Sequence, residues 1–123
     1  MPFRVLVVDD QEPFRLAARG VVELTAGFEV VGEAASGEDA VRAARALSPD
    51  LVLMDVVLPG MDGLAATRLI KNDDAEVVVL LLSTYDLAGF QAQVEACGAA
   101  AYVPKSAFGS DVLVDLLGSP PGG

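Results

Sequence analysis

The chain has 123 residues, 53% of them hydrophobic, and a formal net charge of −10, with one cysteine and no histidine. This length suits one domain with one core, and the apolar content argues against a disordered chain. The charge makes nucleic acid and anionic membranes poor direct partners, while the missing histidine excludes a His-based triad and a phosphohistidine within this chain.

Membrane and secretion signals are not found in the sequence. No apolar run reaches the ~18 residues that cross a bilayer, and Met1 leads within two residues into a predicted strand rather than into a signal peptide. Cys97, as the single cysteine, can form no internal disulfide or thiolate zinc site. We therefore expect a cytoplasmic protein.

The first two strand–helix units follow from short apolar runs. Residues 3–8 predict strand one, which ends at Asp9 and Asp10, and Pro13 suits the first turn of the helix that follows. Residues 28–32 predict strand two. Ser36, with acidic residues shortly after it, resembles a capping box that starts a second helix.

The third unit contains the stretch around which the chain is organised. An apolar run from Leu51 ends in Asp55, and a Pro-Gly turn and Asp62, a good helix N-cap, follow. Because a strand covered by helices on both faces shows no polar alternation, this run predicts a buried central strand. Asp55 then lies at the carboxyl end of a strand, where parallel sheets place their chemistry.

The last two units end in further polar groups. Six apolar residues, 77–82, predict strand four, which Ser83 and Thr84 follow. A fourth helix is expected to end at Gly98. A short strand over residues 100–103 precedes Lys105, and Ser106 is expected to cap the last helix, with Phe108 in its apolar stripe.

Five strands that alternate with five helices predict an α/β fold. The natural solution is a flavodoxin-like (βα)5 three-layer sandwich, with a parallel sheet in the order 2-1-3-4-5. Residues 1–117 would form the domain, and the Gly/Pro-rich residues 118–123 have the composition of a linker.

In that strand order Asp9, Asp10 and Asp55 should share one pocket. Three carboxylates about 5 Å apart repel by roughly 3 kcal/mol per pair at an effective dielectric near 20, so a cation is needed, and oxygen ligands favour Mg²⁺. The ion would dock a phosphate while a carboxylate attacks phosphorus and becomes an acyl phosphate. Lys105 and the Ser83 hydroxyl would then contact the phosphoryl oxygens.

Each of these residues also has an ordinary explanation. Asp9 and Asp10 suit a helix cap, Ser83 and Thr84 suit a turn, Lys105 suits a solvated surface and Tyr102 suits the core. Only the conjunction of these groups at successive strand ends favours phosphoryl chemistry.

At this point the chain resembles the response regulator receiver domains of two-component signalling, over about residues 3–117. The resemblance lies in four segments taken in order: Val7-Val8-Asp9-Asp10, Met54-Asp55-Val56-Val57-Leu58-Pro59-Gly60-Met61-Asp62-Gly63, Leu82-Ser83-Thr84 and Ala101-Tyr102-Val103-Pro104-Lys105. The spacing is most similar to the subfamily with a helix-turn-helix DNA-binding output domain.

The resemblance implies a role for each matching residue. Asp55 would accept the phosphoryl group. Mg²⁺ would be held by Asp9, Asp10, Asp55 and the backbone carbonyl of Val57. Lys105 would pair with the phosphoryl group, Ser83 would move toward it with Thr84 as its neighbour, and Tyr102 would follow as the aromatic switch.

The resemblance also implies partners and an output. The donor would be a histidine kinase or a phosphotransfer protein, and the domain would be a self-modifying switch that controls transcription rather than a turnover enzyme. Its helix 4, strand 5 and helix 5 surface would change on phosphorylation. A phosphorylation-dependent homodimer is expected if Leu87, Phe90, Leu113 and Leu117 form an exposed patch, although they also suit the core.

Two departures from the family pattern are present. Many receivers have proline after the active lysine, whereas here Ser106 follows and Pro104 precedes. Val57 and Tyr85 stand where relatives often have polar groups that handle the hydrolytic water, which predicts slow dephosphorylation.

Three other functions compete with this interpretation. A flavodoxin-like electron carrier needs a Ser/Thr/Gly-rich phosphate loop, which acidic residues replace here. A Mg²⁺-dependent aspartyl phosphatase pairs its nucleophile with an Asp two residues on, where this chain has Val57. A degenerate receiver, acting as a phosphorylation-independent binding module, is disfavoured by the intact set of site residues.

Overall fold

The computed structural model describes residues 2–84 and 88–118. Its strands are β1 (Phe3–Val8), β2 (Phe28–Ala34), β3 (Leu51–Asp55), β4 (Val78–Ser83) and β5 (Ala101–Pro104). Its helices are α1 (Glu12–Leu24), α2 (Gly37–Leu47), α3 (Gly63–Asp73), α4 (Gln91–Ala96) and α5 (Ser110–Leu117), with 3₁₀ turns at Ala88–Phe90 and Lys105–Ala107.

The strands form one sheet in the order β2-β1-β3-β4-β5, and all neighbouring pairs are parallel. This confirms the predicted flavodoxin-like arrangement. All five residues of β3 and the last five of β4 are buried, because both faces of the sheet are covered. The apolar runs of the sequence therefore correspond to the centre of the sheet.

Alternation along the strands divides the core into two clusters, one on each face. On one face Leu53 and Leu80 pack with α1 and with Leu113 of α5. On the other face Met54 and Leu81 pack with α2, α3 and α4. The molecule therefore has three layers, with helices on both faces of the sheet, and the carboxyl ends of all strands lie at one edge of the sheet.

Two predicted helix caps are confirmed. The Ser36 Oγ accepts a hydrogen bond from the Asp39 N–H at 3.1 Å, and the Asp62 Oδ1 accepts one from the Ala65 N–H at 2.8 Å. Gly98 follows α4 with φ of +93°, the left-handed conformation that a helix-terminating glycine provides.

Other local predictions are wrong. Ser106 does not cap the last helix; it lies in the 3₁₀ turn, and α5 begins at Ser110 after extended backbone at Phe108 and Gly109. β2 is two residues longer than predicted, because the end of β1 pairs with Gly32 and the two residues that follow it.

The proposed apolar patch is only partly exposed. Leu113 has no exposed surface and belongs to the core, and Leu117 is half-buried against it. Phe90 is exposed. Leu87 and Tyr85 lie outside the described residues, as do residues 119–123 of the tail.

Within the described ranges, no helix is both long enough and apolar enough to cross a bilayer.

Candidate functional site

Three carboxylates meet at the carboxyl edge of the sheet. β1 and β3 are neighbours, and Val8 pairs with Met54. Asp9 and Asp55 each come one residue after this pair, so they lie side by side. One oxygen each of Asp9, Asp10 and Asp55 lies within 4.8 Å of the others. The structure therefore brings together the three acids that the sequence placed in one pocket.

Two of these acids are buried. Asp9 and Asp55 are 1% and 4% exposed, respectively, whereas Asp10 is exposed. Asp55 is two residues past Leu53, and alternation directs both side chains to the face that α1 and α5 cover. Asp10 follows the strand end and faces solvent.

Lys105, the residue directly after β5, contacts both buried acids. Its Nζ lies 2.6 Å from Asp9 Oδ2 and 3.3 Å from Asp55 Oδ2. The same atom is 4.5 Å from the centroid of the Phe14 ring on α1. Its side chain is only 12% exposed, so the ammonium is held at the site rather than solvated as an ordinary surface lysine.

The two oxygens of Asp9 are in different situations. Oδ1 accepts a hydrogen bond from the Gln11 N–H at 2.8 Å. Oδ2 is buried and, among the described residues, its one close polar contact is the ion pair with Lys105. It thus retains capacity for a further cation, which suits a metal ligand.

The charges perturb both sides of the ion pair. Burial, and next the charge of Asp9, raise the pKa of Asp55, while Lys105 and the Val57 N–H oppose this. Burial works to lower the pKa of Lys105, but its close contacts with Asp9 and Asp55 outweigh burial and raise it. Lys105 therefore stays protonated, and the site holds Asp55 as a comparatively basic carboxylate.

The loop from β3 to α3 completes the pocket. The Val57 N–H donates to Asp55 Oδ1 at 3.2 Å, and the Gly63 N–H donates to the Val56 carbonyl at 2.9 Å. A Cβ on Gly63 would collide with the Asp55 carbonyl oxygen and lie 2.8 Å from the Val56 Cα. The glycine at the start of α3 thus allows the loop to fold back over the end of β3.

These elements enclose a small pocket of about 120 Å³. Its walls are formed by Asp10, Gln11, Asp55, Val57, Thr84 and Lys105. The pocket thereby collects most of the residues singled out in the sequence. Val57, one of these lining residues, is 56% exposed.

Ser83 and Tyr102 are not among the residues that line this pocket. Ser83 is fully buried at the end of β4 and is paired with Pro104, directly before Lys105. Tyr102 is half-buried, is paired with Leu81, and packs on the face covered by α2, α3 and α4. In this state Thr84, rather than Ser83, forms the wall of the pocket.

Three contributors were not identified from the sequence. Gln11 supplies a backbone donor to Asp9, Phe14 supplies the ring beneath Lys105, and Arg15 Nη1 donates to the Asp9 carbonyl oxygen at 2.7 Å. Phe14 stands at helical spacing from Ala18 and Val22, and this periodicity is its only signal in the sequence. Nothing in the local pattern distinguishes Arg15 from an ordinary surface arginine.

Comparison with known proteins gives one consistent family. The model of the response regulator receiver domain matches residues 5–117. The response regulator UvrY of Escherichia coli O6:H1 is 43% identical over 109 residues, which cover 89% of this chain and 50% of that protein. GacA of Pseudomonas aeruginosa is 38% identical over 114 residues, which cover 93% of this chain and 53% of that protein.

Solved structures agree with the sequence relatives. The signal receiver domain of the putative response regulator NarL from Mycobacterium tuberculosis superposes with a TM-score of 0.86 at 31% identity, covering 96% of this chain and 98% of that one. A LuxR-family two-component response regulator from Aurantimonas sp. also has a TM-score of 0.86, at 34% identity, covering 95% of this chain and 83% of that one. The chain spans about half the length of the curated relatives it matches.

Proposed function

Because this chain belongs to the response regulator receiver domain family of two-component signalling, we propose that Asp55 is its phospho-acceptor. The observation that carries the proposal is the convergence of Asp9, Asp10, Asp55 and Lys105 at one edge of the sheet. The donor is a phosphohistidine of a histidine kinase or phosphotransfer protein, since this chain has no histidine of its own.

A divalent cation fits the donor set. Three carboxylates and one ammonium leave a formal charge of −2, and within the described ranges the buried Asp9 Oδ2 has no close polar partner other than Lys105 Nζ. Mg²⁺ prefers oxygen ligands and usually keeps bound water, for which the exposed side of this cluster leaves room. We propose that Asp9, Asp10, Asp55 and the Val57 carbonyl hold it, where it would neutralise charge on the transferring phosphoryl oxygens.

The residues of the chain perform the transfer around Asp55. Its buried carboxylate, whose pKa is raised, attacks phosphorus; the O–P bond forms as the N–P bond of the donor breaks. The electron pair of that bond returns to the imidazole nitrogen. Lys105 already lies 3.3 Å from Asp55 and stays protonated, so it can pair with the phosphoryl oxygens without first crossing the pocket.

Phosphorylation then acts on two neighbouring strand ends. It replaces one carboxylate charge by nearly two phosphoryl charges, which attract donors. Ser83 pairs with Pro104, the residue directly before Lys105. Movement of Ser83 and of Lys105 therefore strains the same position in the pairing of β4 with β5. Tyr102, two residues before Pro104, would follow Ser83 inward and change the surface of α4, β5 and α5.

We propose that this surface controls output, through a phosphorylation-dependent homodimer or a further domain. Similarity to LuxR-family regulators and to relatives twice as long supports a helix-turn-helix output that regulates transcription. The net charge of −10 argues that neither nucleic acid nor membrane is contacted by this domain itself. The buried, free Cys97 is consistent with a cytoplasmic location.

The test is incubation with a small acyl-phosphate donor and Mg²⁺, followed by intact-mass measurement. One phosphate should be added, should be absent when EDTA is present, and should be absent in Asp55→Asn. Asp115→Asn makes the same chemical change at an exposed position of α5 and should keep the adduct. If no condition produces an adduct, the domain is a phosphorylation-independent binding module, and turnover of a generic phosphomonoester would instead indicate an enzyme.

A further inference from the structure

Arg15 of α1 reaches the backbone of the acidic segment. Its Nη1 donates to the Asp9 carbonyl oxygen at 2.7 Å, and its side chain is only 19% exposed. This carbonyl belongs to the peptide that joins Asp9 to Asp10. Because a peptide is planar, the direction of its carbonyl sets the backbone angles on both sides and so aims both carboxylates.

Asp10 depends on its backbone more than Asp9 does. Asp9 is held by the Gln11 N–H and by Lys105. In the part of the chain that the structure describes, the exposed Asp10 carboxylate has no hydrogen bond or ion pair to orient it. The contact between Arg15 and the preceding carbonyl therefore restrains one of the two peptides that flank Asp10, and the bond from the Gln11 N–H to Asp9 Oδ1 restrains the other.

Arg15 is itself fixed by β2. Its Nε lies 3.3 Å from Glu33 Oε1, and Arg19 Nη1 lies 2.8 Å from the other oxygen of the same carboxylate. One nitrogen of the Arg15 guanidinium thus faces Glu33 while another faces the Asp9 carbonyl. This two-point contact requires the planar fork of an arginine, which a lysine cannot reproduce.

We propose that Arg15 is a positioning residue for the metal ligands, holding the Asp9–Asp10 peptide so that the Asp10 carboxylate points at the cation. This inference rests on the proposed metal site. Two physical effects of Arg15 have opposite signs. The field of its positive charge weakens cation binding, whereas correct orientation of a ligand strengthens it.

Mn²⁺ is the probe, titrated by electron paramagnetic resonance of the free ion in the full chain. Arg15→Met, which removes the charge and the donors, should weaken Mn²⁺ binding by about 10-fold. Arg15→Lys, which keeps the charge, should weaken it as well. Arg19→Met is the matched control: it removes the same charge from the same helix and from the same Glu33, and should bind Mn²⁺ as tightly as the unmodified protein or slightly more tightly.

A second measurement reports orientation without metal. The amide resonance of Asp10 in ¹⁵N spectra of the metal-free protein should shift in Arg15→Met and Arg15→Lys but not in Arg19→Met. Unchanged or tighter Mn²⁺ binding in Arg15→Met overturns the inference, as does equal weakening in Arg19→Met. If Arg15→Met does not fold, Arg15→Lys decides alone by the same criteria. Failure of the unmodified protein to bind Mn²⁺ overturns the metal site and this inference together.

Discussion

Replacing Asp55 by asparagine should stabilise the metal-free protein, although it removes the proposed phospho-acceptor. Asp55 is 4% exposed and lies beside Asp9, and both burial and this neighbour raise its pKa. A carboxyl whose pKa is raised in the folded state disfavours folding when it is ionised. The asparagine side chain would keep the shape of the aspartate and remove its charge.

The size of the effect follows from opposing contributions. Oxygens of Asp55 and Asp9 lie within 4.8 Å of each other, so their repulsion is at least about 3.5 kcal/mol at an effective dielectric near 20, and Lys105 at 3.3 Å attracts by about 5 kcal/mol. The exposed Asp10 adds a solvent-screened repulsion, and desolvation of a buried ion costs several kcal/mol. We expect a net gain of about 2 kcal/mol, which is roughly 8 °C in Tm for a domain of this size.

The stability gained by Asp55→Asn should increase as the pH rises. The folded state binds the Asp55 proton more tightly than the unfolded state does, so the contribution of this group to stability falls as pH rises from the unfolded pKa through the folded pKa. The unmodified protein is therefore at its greatest disadvantage at neutral pH. The difference in Tm between Asp55→Asn and the unmodified protein should shrink as pH falls toward about 4, near the unfolded pKa of an aspartate.

Thermal unfolding followed by circular dichroism in EDTA, from neutral pH to pH about 4.5, measures this difference. Asp115→Asn, at an exposed position of α5, is the control and should change Tm by less than about 2 °C throughout. The reasoning is refuted if Asp55→Asn has a Tm equal to or below that of the unmodified protein at neutral pH. A difference that persists undiminished at the lowest pH would refute it equally.

Three further predictions concern the ion, the loop and the lifetime of the phosphorylated state. Mg²⁺ at 100 times its Kd should raise the free energy of unfolding of the unmodified protein by about 2.7 kcal/mol but not that of Asp55→Asn, and calorimetry that finds equal shifts would argue against the metal site. Gly63→Ala should lower stability by about 3 kcal/mol because its Cβ meets backbone, whereas Gly20→Ala within α1, with open space around it, should raise stability by about 1 kcal/mol; denaturant melts that rank them otherwise would contradict the loop geometry. Polar replacements of Val57 and Tyr85 together should shorten the phosphorylated lifetime measured by mass spectrometry, and an unchanged lifetime would dismiss their proposed role.

Much of the fold could be predicted because its signals are local. A strand with one face in solvent alternates apolar and polar residues. Uninterrupted apolar runs such as residues 51–54 therefore indicated strands buried on both faces. The caps at Ser36 and Asp62 satisfy backbone donors within three residues, which sequence spacing describes directly. The start of α5 was mispredicted because extended backbone at Phe108 and Gly109, which separates the 3₁₀ turn from the helix, leaves no local signal.

The sequence by itself determined which groups stand at the strand ends. Asp9, Asp55, Ser83 and Lys105 each end or follow an apolar run, and parallel strands place all such ends at one edge. That reasoning requires only the side-chain period of a strand and the direction of its neighbours.

Only the tertiary structure decided how these groups meet. The position of Lys105 between Asp9 and Asp55 and over Phe14, and the contact of Arg15 with the Asp9 carbonyl, depend on strand register and helix placement. A hydrogen bond or ion pair forms only within about 3 Å and over a narrow range of angles. No local pattern constrains residues far apart in sequence that closely, so the candidate residues were readable from the chain, and their working geometry was not.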